Sequence, residues 1–213
     1  MTMVPMSMKA VQFERLTRES VVRSALALNQ SGAQFEVFEK SRCNEHYWSR
    51  TMNGGFLLKP SAIPSVAIRD IYYSGPLYAF ECATAIIIVL YKAILDSMGE
   101  RIFDKLFTAI FLRDWHYDAD LRLKIFQWQA AKLGDVVYFR NPEVNPVTPQ
   151  WQGENAVLLS NDLYYGHGMG VLTAAEIINK LNMSRKPGSV ESAYLTETVV
   201  QLDYSYFFQL ANE

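Results

Sequence analysis

The sequence predicts an α+β fold with a buried central helix packed on an antiparallel sheet, and three features carry that expectation. A segment from Leu77 to Leu95 is apolar on nearly every face, as a buried helix must be. Flanking it are two stretches, Met8–Asn29 and Glu100–Arg113, whose apolar residues recur at three and four residues. Beyond Gly134 the pattern changes to short β-type runs separated by turn residues, including a hairpin within Trp151–Gly170.

Composition sets the bounds. The chain has 213 residues, half of them apolar and 13% aromatic, so it can build a substantial core. A formal charge of −2 argues against nucleic acid or an anionic membrane as the main partner. Two cysteines, Cys43 and Cys82, are too few for a disulfide scaffold. The N-terminus carries no apolar core of signal-peptide length, and the longest apolar run, Ala83 to Tyr91, falls well short of the ~20 residues of a membrane span. The expectation is a soluble protein made without export, in a reducing compartment, as one domain over residues 1–213 with a short arm at 1–8.

In chain order, Val11, Leu16, Val21, Val22, Ala25, Leu26 and Leu28 lie near one face of the first helix, which Ser31-Gly32 ends. Arg42 to Ser65 is turn-rich, with Asn53-Gly54-Gly55 marking a short hairpin. Cys43 and His46 sit three apart there, but without two further ligands at suitable spacing they read as bystanders, and no metal or other cofactor is expected. Gly75-Pro76 breaks the chain ahead of the central helix. Ile86 to Val89 are β-branched and would suit a strand, but about eighteen residues without a breaker favours a helix. The next helix carries Phe103, Leu106, Phe107, Ile110 and Phe111 as its core stripe, and Asp114-Trp115-His116-Tyr117 follows. Three prolines in the ten residues from Asn141 to Gln150 read as a loop, since a linker there would leave the right-hand piece without the central helix. In the hairpin, Asn155–Leu159 and Leu163–Tyr165 flank Ser160-Asn161-Asp162. Ala174–Met183 reads as a short helix ended by Lys186-Pro187-Gly188, and Tyr194–Leu210 as one or two closing strands.

The central helix places Cys82 in its opening turns, directly after Glu81. Free N–H groups at a helix start favour a thiolate, whereas a neighbouring carboxylate opposes it. Taken alone, such a cysteine is also a small buried hydrophobe. Downstream, the hairpin brings Glu154 and His167 close to opposite one another, with Gly153, Gly166, Gly168 and Gly170 permitting close backbone approach. A thiol on a helix with an acid and a histidine on a following sheet is the arrangement of papain-like cysteine hydrolases.

The runs SGPLYAFECATAIII, LRDWHYD, DVVYFRNPE, QWQGENAVLL and YYGHGMGVL together resemble the transglutaminases of spore-forming bacteria, the protein-glutamine γ-glutamyltransferases of the spore coat. The likeness runs from about Ser31 to Leu202, in order and at near-equal spacing. It implies a papain-like fold and a calcium-independent enzyme that links glutamine to lysine on protein substrates, spore coat proteins among them. It places the enzyme first in the cytoplasm of the sporulating cell and then in the coat. It implies Cys82 as nucleophile and Glu154 as its main acid/base partner, with Glu81 an alternative and His167 an orienting third member. Trp115 and Trp151 correspond to tryptophans lining the passage to the thiol. The N-terminus is shorter than the family's usual arm.

Such chemistry requires proton transfer both to a departing ammonia and from an attacking amine, which one carboxyl of raised pKa can serve. It also requires water to be kept from a thioester, for which Tyr72, Tyr73, Tyr78, Tyr164 and Tyr165, with the two tryptophans, could form an apolar passage. Two other readings stand beside this one: a cysteine peptidase or amidase on the same fold, and a non-catalytic coat protein of the same ancestry.

Overall fold

A computed structural model describes residues 7–127 and 130–212. The chain opens with α1 (Met8–Gln30), whose cap residue Ser7 accepts a hydrogen bond from the Ala10 N–H. Its buried face carries Val21, Ala25 and Leu28. Ser31 caps the far end, and Gly32 adopts a left-handed φ of 86° against Pro76. After β1 (Gln34–Phe35) comes the expected hairpin, β2 (Trp48–Arg50) and β3 (Phe56–Leu58), turning through Gly54 at φ 83°. Helix α2 (Pro64–Tyr73) leads to β4 (Ala79–Phe80), which pairs in parallel with β1.

The central helix α3 spans Cys82–Met98. It begins five residues later than the apolar pattern suggested, because Gly75–Leu77 forms a single 3₁₀ turn and Ala79–Phe80 is taken by the pairing with β1. The cysteine is therefore the first residue of the helix. From Ala83 to Leu95 every residue except Lys92 is buried. Helix α4 (Glu100–Leu106) is shorter than its periodicity predicts. Phe103, Phe107 and Ile110 are all buried as expected, but the chain leaves the helix at Phe107. The Ile110 carbonyl then accepts from the Leu58 N–H, and β5 (Phe111–Leu112) joins β3. A core stripe records burial, and here the sheet edge competes successfully for the last turn.

The second half builds the main sheet. Its strands are β6 (Leu123–Gln127), β7 (Val136–Arg140), β8 (Gly153–Ser160), β9 (Leu163–Gly166), β10 (Gly170–Leu172) and, after α5 (Ala174–Met183), β11 (Tyr194–Leu202). Their order is β10-β9-β8-β7-β11-β6, antiparallel throughout. The proline-rich stretch before β8 is a loop closed by its own turns. The final segment is half strand and half helix: β11 ends at Leu202 and α6 (Tyr204–Leu210) follows. Its aromatic run reads as β, but the Asp203 side chain caps it by accepting from Tyr206 N–H, and Phe207 is buried in the main core.

Two apolar cores flank the sheet. Val136, Val157 and Tyr165 face the larger one, with α3 at its centre. Val137, Phe139, Ala156 and Leu158 face a smaller one closed by Ile177 and Leu181 of α5. Helix α3 thus lies against an antiparallel sheet with its N-terminus at one end of β8. Among the described residues no helix is long and apolar enough to cross a membrane.

Candidate active site

Everything at the site follows from how α3 begins. Glu81 is its cap residue: Oε2 accepts from the Ala83 N–H at 2.8 Å, and Oε1 from the Thr84 N–H at 2.6 Å and the Thr84 hydroxyl at 2.7 Å. The acid before the cysteine is thereby committed to the helix terminus. This holds Cys82 in place at the cost of placing negative charge beside its thiol.

Cys82 opens into a cleft of about 1190 Å³. One wall is the sheet face bearing Val136, Tyr138, Asn155 and Val200; another holds Phe35, Phe38, Asp114 and Trp115. The Asn155 side-chain amide donates toward Cys82 Sγ at 3.5 Å. Burial pushes the thiol pKa well above its ordinary value, the charges of Glu154 and Glu81 push it further, and the backbone and side-chain amides of Asn155 pull it back.

Glu154 is 1% exposed and lies against Gly166, where a Cβ would meet its carboxylate at 2.8 Å. That is a glycine required by close approach. Glu154 Oε1 has no hydrogen-bond partner among the described residues. Burial raises its pKa well above the carboxylate range, Glu81 adds to the rise, and the His167 backbone amide partly offsets it. Cys82 and Glu154 thus share one corner with the charge of Glu81, which disfavours the ionisation of either.

His167 lies beside this corner with its ring turned elsewhere. Its Nε2 lies 3.1 Å from the Gln34 carbonyl, which can only accept, so Nε2 carries the hydrogen. Nδ1 then accepts from the Tyr165 hydroxyl at 2.9 Å. The ring stacks on Phe80 with centroids 4.6 Å apart. Burial lowers its pKa from 6.5 to about 4, despite the opposing Gln34 and Phe80 backbone groups. The imidazole is a neutral brace between β9 and the β1–β4 pair, and its contact with Glu154 is through its backbone.

Of the two tryptophans, Trp115 lines the cleft, while Trp151 stands behind its wall, stacked on Phe35 at 5.3 Å. The tyrosine passage is made of other residues than expected. Tyr72 and Tyr165 lie in the core, Tyr78 donates to Asp70 at 2.6 Å, Tyr164 packs in the smaller core, and Tyr73 is 82% exposed. Tyr117 and Tyr138 line the cleft instead. Asn155 was passed over in the sequence. The sequence carried no signal for it, since strand alternation turns it to the face opposite Glu154. Cys43 packs against the main core, and burial raises its pKa to about 11. No group of three or more potential metal ligands occurs among the described residues.

A thiol at the start of a helix packed on an antiparallel sheet is the layout of papain-like thiol enzymes; here the sheet brings a carboxyl and an amide near it, and the histidine ring turns away. The family described as protein-glutamine gamma-glutamyltransferase matches residues 5–211, and the chain belongs to that family of enzymes. It is 48% identical over 202 residues to a protein-glutamine gamma-glutamyltransferase of Bacillus cereus (strain B4264), covering 95% of this chain and 73% of the relative. A counterpart from Bacillus mycoides (strain KBAB4) is 47% identical, covering 94% and 73%. The solved transglutaminase from Geobacillus stearothermophilus (without C-terminal extension) superposes with a TM-score of 0.93 at 44% identity, covering 96% of this chain and 98% of that one.

Proposed function

We propose that Cys82 is the nucleophile of a calcium-independent transglutaminase, that Glu154 moves its protons, and that the products are ε-(γ-glutamyl)lysine cross-links between proteins. The observation that carries the reading is Glu154: a sealed carboxyl, unpaired at one oxygen, electrostatically coupled to a thiol at the wall of an open cleft.

Cys82 Sγ attacks the glutamine carboxamide carbon and its proton passes to Glu154. The protonated Glu154 then delivers that proton to the departing nitrogen, the C–N bond breaks, and ammonia leaves a thioester. A lysine amine attacks next; its proton goes to the Glu154 carboxylate, the C–S bond breaks, and the proton returns to sulfur. Asn155 steadies negative charge on sulfur through both steps. Glu81 fixes the helix terminus, since both of its oxygens are occupied. His167 orients the strand that backs Glu154. Trp115, Phe35 and Phe38 shield the thioester from water.

Spore coat proteins as substrates, and residence first in the cytoplasm of the sporulating cell and then in the coat, rest on the resemblance of the FECATA, GEN and YYGHGMG runs and on the Bacillus relatives. The test is incorporation of a labelled primary amine into a glutamine-bearing protein, with a calcium chelator present. Wild type is expected to incorporate label and Cys82→Ala to give none. Cleavage of the acceptor without incorporation would favour a cysteine amidase, and a calcium requirement would overturn the metal-free reading.

A further inference from the structure

The two substrates of such a reaction differ in charge: a glutamine side chain is neutral, and a lysine arrives as an ammonium. The ionisable groups of the cleft are unequal in what they offer that cation, and Glu39 and Arg140 on its lining are exposed to solvent. Glu81 is fully engaged at the helix terminus. Glu154 is sealed behind the wall. Arg113 donates to the Asn53 carbonyl at 3.0 Å and lies over the Phe38 ring at 4.3 Å. Asp114 lines the cleft with Cys82, and its carboxylate makes no hydrogen bond or ion pair with any described residue.

The backbone of Asp114 is tied to the nucleophile's own helix. Its N–H donates to Thr84 Oγ1 at 2.8 Å, and that hydroxyl donates onward to Glu81 Oε1 at 2.7 Å. Asp114 sits at φ 52°, which aspartate and asparagine tolerate better than other side-chain-bearing residues. Its place relative to Cys82 is therefore set by two short bonds within one turn of helix. Trp115 and Phe38 beside it offer apolar faces for a methylene stem.

We propose that Asp114 is a specificity-determining residue that selects a cationic primary amine as acyl acceptor, its free carboxylate meeting the ammonium while Trp115 and Phe38 pack along the alkyl chain. This rests on Cys82 forming the thioester. Asp114 meets the ammonium before attack; one proton then leaves to solvent through the open cleft, the neutral amine attacks the thioester, and its second proton goes to Glu154 as above.

The experiment compares two acceptors at saturating glutamine donor: cadaverine, a cation, and hydroxylamine, which is uncharged at mildly alkaline pH. In Asp114→Asn the backbone bond to Thr84 and the tolerance for positive φ remain, and only charge is removed. The ratio of kcat/KM for cadaverine to that for hydroxylamine is expected to fall about five- to tenfold, the range of one partly solvated charge pair. A ratio is independent of the fraction of folded enzyme. In wild type, added salt is expected to lower the cadaverine value and spare hydroxylamine. An unchanged ratio in Asp114→Asn, or salt lowering both acceptors alike, would overturn the assignment. If wild type used neither acceptor and released no ammonia, the transglutaminase reading itself would fall, and this proposal with it.

Discussion

Asp135 and Glu154 are both carboxylates sealed from water, at 0% and 1% exposure, yet their surroundings are opposite. Asp135 receives the Arg18 guanidinium on Oδ1 and the Lys132 N–H on Oδ2 at 2.8 Å. Arg18 in turn is held by Glu14 at 2.8 Å, the Leu133 carbonyl at 3.2 Å and Gln201, and lies over the Tyr204 ring. Every charge there has partners, and the cluster ties α1 to the sheet and α6. Glu154 has a glycine on one side, an oxygen without a hydrogen-bond partner among the described residues, and Glu81 and the Cys82 thiol as neighbours. A satisfied buried charge holds a fold together. An unsatisfied one is ready to take up or give a proton.

The largest expected effect lies at the unsatisfied site. Glu154→Gln keeps the shape and removes the proposed proton carrier, so amine incorporation should fall about 100- to 10,000-fold. Its stability should hold or improve. Because the folded-state pKa of Glu154 lies above its unfolded value, the folded chain binds more protons in that window, and wild type loses stability as pH rises through it. The Gln variant lacks this loss, which urea titrations at several pH values would show. Arg18→Met should behave in the opposite manner. It strands Asp135 and should cost about 3–5 kcal/mol of stability by the same titrations, with little change in activity per folded molecule.

His167 sharpens the contrast, being buried, neutral and satisfied. Its pKa of about 4 in the fold against 6.5 when unfolded means the unfolded chain binds the extra proton first. Stability should therefore drop between about pH 6.5 and pH 4, by roughly 3 kcal/mol in full. Glu154 acts with the opposite sign over part of that window, so the comparison to make is wild type against His167→Gln, whose acid limb should be flatter. Asn155→Ala should slow amine incorporation about tenfold and move thiol alkylation to higher pH, because it removes the side-chain amide that favours the thiolate and leaves only the backbone amide. Smallest is Glu19→Gln, which breaks the exposed Arg15–Glu19 pair and should change stability by less than about 0.5 kcal/mol.

The sequence disclosed what depends on local pattern. Helix α1, the turn at Asn53-Gly54-Gly55, helix α5 and the β8–β9 hairpin all stand where periodicity and turn residues put them. It was less informative where long-range pairing competes with local preference. Ile110 and Phe111 continue a helical stripe but are drawn to the edge of β3, and Tyr204–Leu210 is β-like in composition but helical once Asp203 caps it. Strand β6 and the two-residue pairing of β1 with β4 escaped notice, being short or only partly buried. Cys82, Glu81, Glu154 and His167 could be picked out as residues; their ranking came from the resemblance alone, and their side-chain directions from neither. That Glu81 is consumed as a cap, that His167 turns its ring to Gln34, and that Asn155 reaches the thiol are facts of side-chain direction, which spacing does not carry.

The coupling of Glu154 to Cys82 is tested most directly by the pH dependence of Cys82 alkylation by iodoacetamide in wild type and Glu154→Gln. Removing the Glu154 charge should ease thiolate formation, so the variant's profile is expected to shift toward lower pH. Identical profiles would mean the two groups do not share a proton, and Glu154 could not then be the carrier.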